Sequence, residues 1–408
     1  KEQPIAALRM RKSALKGGHL MLLNPIEYEM NFPVAEKIIT DTVGMVHALA
    51  GIVKVLLQGA TAPDKAVQSL LAEVKVDAAH LAIAQHLKNT DSSVVLLGNG
   101  ATAHPHYSLL QSLGQLAAEL SQSGFGILPE AGNSAGAWIA GMLPHRTTGG
   151  VSVTKNGLDA QAMLAAQLKA YVLLGVEPEY DCADPTRAMQ AVTDADFVIA
   201  LTSFRSAAMD NYANVMLPTA PFTETAGTFV NAEGRWQSLE AAVSPLAEAR
   251  PAWKILRVLG NLLNAEGFDY VTCQEVTEEV KRAITDQAPK ITVGKNKVAV
   301  KSLPIADKHL MRIGDVPMYA VDALTRRATA LQQTQDARPA AVYVNARLAA
   351  QLSVVEGQFV QARQGAARAR LPIVLDERVP DRCVLIPAGL TGSTTLGSAF
   401  GPVELERA

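Results

Sequence analysis

The chain alternates short, continuously apolar runs with longer stretches in which apolar residues recur every three or four positions. Residues 93–97 (SVVLL), 125–128, 170–175 (AYVLLG) and 197–202 (FVIALT) are of the first kind. Runs without polar alternation predict strands buried on both faces. Between the first two, residues 105–123 place Leu109, Leu110, Leu113, Leu116, Ala117 and Leu120 at helical spacing. The rhythm predicts an α/β architecture, a parallel sheet with covering helices. Upstream, the pattern predicts a helix over 4–16, a short strand over 19–23 and one long helix over about 33–58. Asn31 or Pro33 would start that helix, because proline's missing N–H costs nothing in a first turn.

The pattern changes after the run Val215–Pro218. Thr228-Phe229-Val230 and Arg235-Trp236-Gln237 flank Asn231-Ala232-Glu233-Gly234, which predicts a hairpin with glycine where a positive φ is cheap. Residues 251–264 and 275–284 read as amphipathic helices. Residues 290–301 carry four lysines alternating with Ile291, Val293, Val298 and Val300, the pattern of one polar sheet face. Residues 325–338 (TRRATALQQTQDAR) are polar apart from Leu331 and read as a connection between domains. From Ala340 the chain becomes β-rich, with strands expected at 341–344, 359–362, 368–375 and 383–387, and Asn345 placed to cap a helix over 346–352. Gly357, Gly365 and Gly389 would supply the turns of a small barrel.

Composition narrows the classes. At 408 residues the chain is long enough for several domains. Its net charge of −2 gives no cationic field for nucleic acid or anionic lipid, and 49% hydrophobic residues exclude wholesale disorder. The most apolar helix, residues 43–57, is 15 residues long and holds His47 and Lys54, whereas a spanning helix needs about 20 apolar residues. It reads as a buried helix. Cys182, Cys273 and Cys383 stand far apart, so no short spacing supplies the four ligands of an iron–sulfur cluster or a structural zinc. A disulfide framework is equally absent, which fits a reducing, cytoplasmic setting. The first residue is Lys1, which suggests a fragment with sequence upstream.

Gly98-Asn99-Gly100-Ala101-Thr102-Ala103 fits G-x-G-x-x-G/A between a strand and a helix, the pattern that lets a backbone approach a pyrophosphate. The first acid after the next strand, Glu130, lies 32 residues past Gly98, where a dinucleotide fingerprint expects about 20. A structural glycine turn, or one inherited from another nucleotide-like cofactor, stands beside the NAD reading. His104 and His106 are two histidines where a metal site needs more ligands. Glu224, Glu233 and Arg235 at the hairpin read as Arg235 bridging carboxylates to pin the turn, since its planar fork suits them. His145-Arg146 reads as the anchor of a helix end. No residue set reads as catalytic, and none as metal-binding.

Met216-Leu217-Pro218 followed by residues 224–237 (ETAGTFVNAEGRWQ) resembles the signature LP…E-x-x-G-T-x-x-N-x-E-G-R-x-Q of the molybdopterin oxidoreductase superfamily. The turn from Gly98 is similar to the second nucleotide-binding lobe of those enzymes. Residues 342–346 and 352–360 are similar to the opening of their terminal double-psi barrel, with Gln358 where members carry Asp. Residues 131–146 (AGNSAGAWIAGMLPHR) and 316–336 (VPMYAVDALTRRATALQQTQD) resemble one branch, the large iron–sulfur subunit of bacterial NADH:quinone oxidoreductase, respiratory complex I. The resemblance implies Rossmann-like parallel-sheet lobes followed by a small double-psi β-barrel. It divides the chain into residues 1–88, the remainder of a first α/β lobe; 89–264, a second lobe with its hairpin; 265–338, a helical and extended connection; and 339–408, the barrel.

In that branch the N-terminal half holds the clusters and the C-terminal half, which this chain resembles, carries no molybdenum cofactor. The resemblance therefore implies a structural and docking role beside the cluster-bearing half and other hydrophilic-arm subunits, peripheral to the inner membrane, with no cofactor of its own. A vestigial pterin crevice would then involve Gly98, Gly100, Glu224, Gly227, Thr228, Asn231, Glu233 and Arg235. The ligand to molybdenum in active relatives would lie upstream of Lys1. Asn214 and Gln358 replace two carboxylates expected of active members. An active molybdenum enzyme related to formate dehydrogenase or nitrate reductase, and an NAD-dependent dehydrogenase, are the competing readings.

Overall fold

The computed structural model describes residues 3–58, 65–287, 302–305 and 308–407. The chain forms two compact units. Unit 1 holds Lys1–Leu128, Val293–Ala320 and Ala330–Ala408; unit 2 holds Pro129–Thr292 and Val321–Thr329.

Unit 1 opens with helix Pro4–Leu15 and the parallel pair β1 (Met21–Asn24) and β2 (Glu36–Ile39). The single helix expected from Pro33 to Gln58 is thus a strand and then a shorter helix. Ile38 and Ile39 favour extended backbone beside β1. The helix Thr42–Leu56 starts at Asp41, whose Oδ1 accepts the N–H of Gly44 at 2.6 Å. That helix is buried almost all round, with Val46, Ala50, Val53 and Leu56 inaccessible. It packs with helices Lys65–Leu71, Ala78–Lys88 and Tyr107–Leu120. The parallel strands β3 (Val94–Leu97) and β4 (Gly124–Ile127) present Val95, Leu97, Phe125 and Ile127 to that core.

Unit 2 contains the parallel sheet β5 (Ala170–Leu174), β6 (Phe197–Thr202) and β7 (Val215–Pro218), in the order β5-β6-β7. Tyr171, Val198 and Met216 point into a core with Ala191, Val192, Met209 and Tyr212. The opposite face is covered only in part, with Val172 55% and Phe197 43% exposed but Leu201 inaccessible. Burial on both faces, expected from the unbroken apolar runs, therefore fails for this sheet. Composition alone does not separate a doubly covered strand from one whose second face is bare. The hairpin is present, as the antiparallel pair β8 (Gly227–Val230) and β9 (Trp236–Leu239). Helices Ala252–Leu262 and Cys273–Gln287 follow.

The chain then returns to unit 1 as a closed six-stranded barrel. Its strands are β10 (Leu310–Ile313), β11 (Val342–Val344), β12 (Phe359–Gln364), β13 (Ala367–Leu375), β14 (Cys383–Leu385) and β15 (Phe400–Arg407), in the order β10-β14-β11-β13-β12-β15. The pairs β10–β14 and β11–β13 are parallel and the others antiparallel. Alternate residues Ala369, Leu371 and Ile373 of β13 fill the interior with Val344, Val360 and Val384. Asn345 caps helix Ala346–Leu352 as expected, its Oδ1 accepting the N–H of Leu348. Residues 325–338 are not a bare connection: they include helix Thr329–Gln332 and most of Ala323–Arg327. The lysine-rich stretch 290–301, expected as a sheet face, lies outside the described residues.

Candidate functional site

The sequence candidates fall in both units. In unit 1, β3 ends at Leu97, and the next residue, Gly98, caps the one-turn helix Asn99–Thr102 in extended backbone at φ −96°. A Cβ added at Gly98 would meet nothing within 4 Å, and at Gly100 only Pro25 Cδ at 3.9 Å. The fold itself therefore does not demand glycine at either position. Four N–H groups of the turn are used inside it: Ala101 and Thr102 donate to Gly98 O, Ala103 to Asn99 O and His104 to Ala101 O. His104 is buried, with Nε2 2.8 Å from Thr42 O and Nδ1 accepting the N–H of His106 at 2.9 Å. Nε2 therefore carries the proton. Burial pulls its pKa below the ordinary value and keeps the ring neutral. His104 is a structural pin.

In unit 2 the hairpin is held by Asn231, whose Oδ1 accepts the N–H of Glu233 at 3.0 Å and of Arg235 at 2.9 Å. Gly234 takes φ +76°, where a side chain would be strained. Glu224 accepts the N–H of Leu246 through Oε2 at 3.1 Å, and Thr228 Oγ1 lies 3.2 Å from Thr277 Oγ1. Asn133 joins the group by accepting the N–H of Val230 at 2.8 Å. Gly227 has open space above it. The turn is thus pinned by Asn231. Arg146, read as a helix-end anchor, instead holds a turn by donating to Gly150 O and Ser152 Oγ.

A dense polar cluster stands where the sequence pointed to nothing, at the carboxyl ends of β5 and β6. Glu177 follows β5 and its side chain is 1% exposed. Arg326 donates to its Oε2 through Nη2 at 2.8 Å and Nε at 3.2 Å; Arg327 reaches Oε1 at 2.5 Å and Oε2 at 3.1 Å. Arg326 also donates to Asp181 at 2.8 Å, and Asp181 accepts the N–H of Glu177. The two guanidiniums lie over aromatic rings, Arg326 4.9 Å from the Tyr180 centroid and Arg327 4.9 Å from that of Phe204. Burial opposes the Glu177 charge, but the hydrogen bonds from Arg327 and Arg326 outweigh it and leave the carboxyl below the ordinary range.

Beside this cluster, Glu179 is also buried. Its Oε1 accepts the Ser206 hydroxyl at 3.1 Å, while its Oε2 and the Tyr212 hydroxyl have no hydrogen-bond partner among the described residues. Burial, with the charges of Glu177 and Asp181, pushes the Glu179 carboxyl above its ordinary range. Burial also pushes the Cys182 thiol up to about 11, so it is not a ready nucleophile. Asn214, which replaces an expected carboxylate, is a sheet brace: its Oδ1 accepts the N–H of Val198 at 2.6 Å. Gln358 accepts the N–H of Val355 in the turn before β12. Among the described residues no group of three His, Cys, Asp or Glu is placed to hold a metal ion.

A family model for molybdopterin oxidoreductases matches residues 1–262. The chain belongs to the molybdopterin oxidoreductase family. The NADH-quinone oxidoreductase G subunit of Streptomyces coelicolor is 28% identical over 266 residues, which are 64% of this chain and 30% of that protein. YrhE of Bacillus subtilis, provisionally named a formate dehydrogenase, is 29% identical over 211 residues, 45% of this chain and 21% of that protein. The acetylene hydratase of Pelobacter acetylenicus superposes with TM-score 0.69 at 13% identity over 99% of this chain and 76% of its own, which shows a shared fold. The chain thus spans less than a third of these two curated relatives.

The family's cofactor is a pterin carrying phosphate, and the local geometry can be tested against it. The turn 98–106 has room at Gly98 and Gly100 but no Lys or Arg to meet phosphate charge, and most of its N–H groups are already used. In unit 2 the ligand edge of the sheet presents Glu177, Glu179 and Asp181, and the chain's own arginines cover the first. Neither arrangement fits an anionic pterin.

Proposed function

We propose that this chain is the structural and docking portion of the large iron–sulfur subunit of an NADH:quinone oxidoreductase. It supports electron transfer from NADH to quinone without a redox centre of its own and performs no bond chemistry. The reading is carried by the similarity to the Streptomyces coelicolor protein along 64% of the chain, in a sequence with three widely spaced cysteines where a [4Fe–4S] cluster takes four thiolates. The clusters would sit in an N-terminal half of the same polypeptide, and the partners would be that half and the other subunits of the hydrophilic arm. No described helix is long and apolar enough to cross a membrane, and a peripheral place on a membrane-bound complex accords with that. In this reading the six-stranded barrel is the family's double-psi domain and the two parallel sheets belong to Rossmann-like lobes.

The test is native electrophoresis of detergent-solubilised membranes from the source organism. The chain is expected to migrate with NADH:quinone reductase activity; migration as a small free species would defeat the proposal. The similarity to YrhE favours a second reading, a portion of an active molybdenum oxidoreductase. Fluorescent oxidised pterin released on acid denaturation would support that reading over the first.

A further inference from the structure

We propose that the corner between helices Ala252–Leu262 and Cys273–Gln287 is a docking knob for a neighbouring protein chain, whose matching face is an apolar groove flanked by lysine and arginine. The inference rests on the docking role given above and names one surface that performs it, with the chemistry of its partner.

Both helices belong to unit 2. Helix Ala252–Leu262 is apolar along most of its length, yet Gly260 is its only buried residue. At its end Leu262 and Leu263 are 75% and 71% exposed, and Val271 across the turn is 72% exposed. Apolar side chains grouped in water on an ordered element mark a contact surface. The turn that groups them is well fixed. Asn264 takes φ +53° and the N–H of Ala265 reaches Gly260 O at 2.9 Å, which closes the helix. The Phe268 ring lies so close to Gly260 that a Cβ there would strike it. Arg257 Nη1 donates to Tyr270 O at 2.9 Å, the Tyr270 hydroxyl to Glu279 at 2.7 Å, and Glu275 accepts the N–H of Val271 at 2.6 Å. With the turn ordered before any partner arrives, docking forfeits little conformational entropy.

Charge selects the partner. Between Arg257 and Lys281 the chain has no Lys, Arg or His, and it carries Glu266, Asp269, Glu275, Glu278 and Glu279. Glu266 and Asp269 are exposed on the turn, between the leucine pair and Val271 in sequence. Lys281 pairs with Glu278, whereas Glu275 and Glu279 bond to the neutral donors named above and keep their charge. Such a face repels an acidic chain and steers a basic one toward it.

The test titrates the 408-residue chain with the basic amphipathic peptide LKKLLKLLKKLL and with its acidic counterpart LEELLELLEELL, followed by calorimetry and amide hydrogen exchange. The basic peptide is expected to bind and to slow exchange over residues 258–272 about tenfold, and the acidic peptide to do neither. Leu262→Ser/Leu263→Ser and Glu266→Lys/Asp269→Lys should each weaken binding about tenfold. These side chains are exposed, so both variants should melt within about 2 °C of the parent, which separates lost docking from lost folding. Equal binding of the two peptides, protection confined to other segments, or undiminished binding in either variant would overturn the proposal. So would a parent chain that dimerises in solution and becomes monomeric in the serine variant, because the knob would then belong to a second copy.

The assembled complex separates this inference from the functional reading. A parent chain that migrates apart from NADH:quinone reductase activity defeats the functional reading, whereas the knob is judged by the peptide titration. When the parent migrates with that activity, each variant should leave at least about tenfold less chain in the complex. Full retention of either variant contradicts the knob.

Discussion

Arg312 in unit 1 and Arg326 in unit 2 both bury a guanidinium, and they are satisfied in different ways. Arg312 lies in the barrel and hydrogen-bonds to four uncharged oxygens: Ile386 O, Gly397 O, Ser398 O and Gln364 Oε1. Those bonds weld the segment 386–398 to β10 and β12, and none of the four acceptors titrates. Arg326 instead faces the carboxylates of Glu177 and Asp181, so the charge-assisted part of its hold is present while they are ionised. One arginine is held by neutral acceptors. The other belongs to a clasp of charges at the carboxyl edge of the sheet.

The comparison breaks most sharply at Glu177. Glu177→Ala removes the carboxylate shared by two guanidiniums, one of them nearly buried and left with Asp181, and should cost about 3 kcal/mol in denaturant unfolding followed by a probe in unit 2. A loss below about 1 kcal/mol would reduce the clasp to an ordinary surface ion pair. Arg312→Leu keeps the apolar bulk but leaves the carbonyls of Ile386, Gly397 and Ser398 without this donor. It should cost about 2–4 kcal/mol.

The pH profile separates the two carboxylates of unit 2. Glu177 is held below its ordinary 4.5, so its contribution is complete above that pH and is lost as pH falls toward the native value. Glu179 is raised above 4.5, so its ionisation costs stability as pH climbs through its native value. Equilibrium unfolding across pH 3–8 should show both slopes, and Glu179→Gln should remove the upper one alone. The smallest effect belongs to the glycine turn. Gly98→Ala meets open space at an ordinary φ and should shift stability by less than about 0.5 kcal/mol, since no internal contact requires the glycine.

Much of this was legible in the chain. Unbroken apolar runs marked β3, β5 and β6, and an Asn-to-Gly turn between β-formers marked the β8–β9 hairpin. The barrel showed through β13, where Ala369, Leu371 and Ile373 alternate with outward residues. Its first and last strands were hidden. β10 is four residues with an arginine in the third position, and burying that arginine depends on acceptors some 50–90 residues later. β15 opens Phe400-Gly401-Pro402, which reads as a turn, although Val403 and Leu405 alternate with glutamates behind it.

The clasp was hidden for the same reason. Glu177 and the arginine pair are about 150 residues apart, and a polar segment between domains gives no local sign that it will be buried. The Asp322 cap, the adjacent arginines and the acidic run 177–181 were the available signals, but only the fold brings them together. The glycine turn, in contrast, carried a strong local pattern, yet a side chain at Gly98 would meet open space at an ordinary φ.

The central claim is that a molybdopterin-enzyme scaffold serves here without a redox centre. Its most direct test is the molybdenum, tungsten, iron and released-pterin content of this chain after purification, with absorbance read near 400 nm. The account predicts substoichiometric metal, no pterin fluorescence and no visible band. One molybdenum with its pterin per chain, or a stoichiometric iron–sulfur absorption carried by these residues, would contradict it.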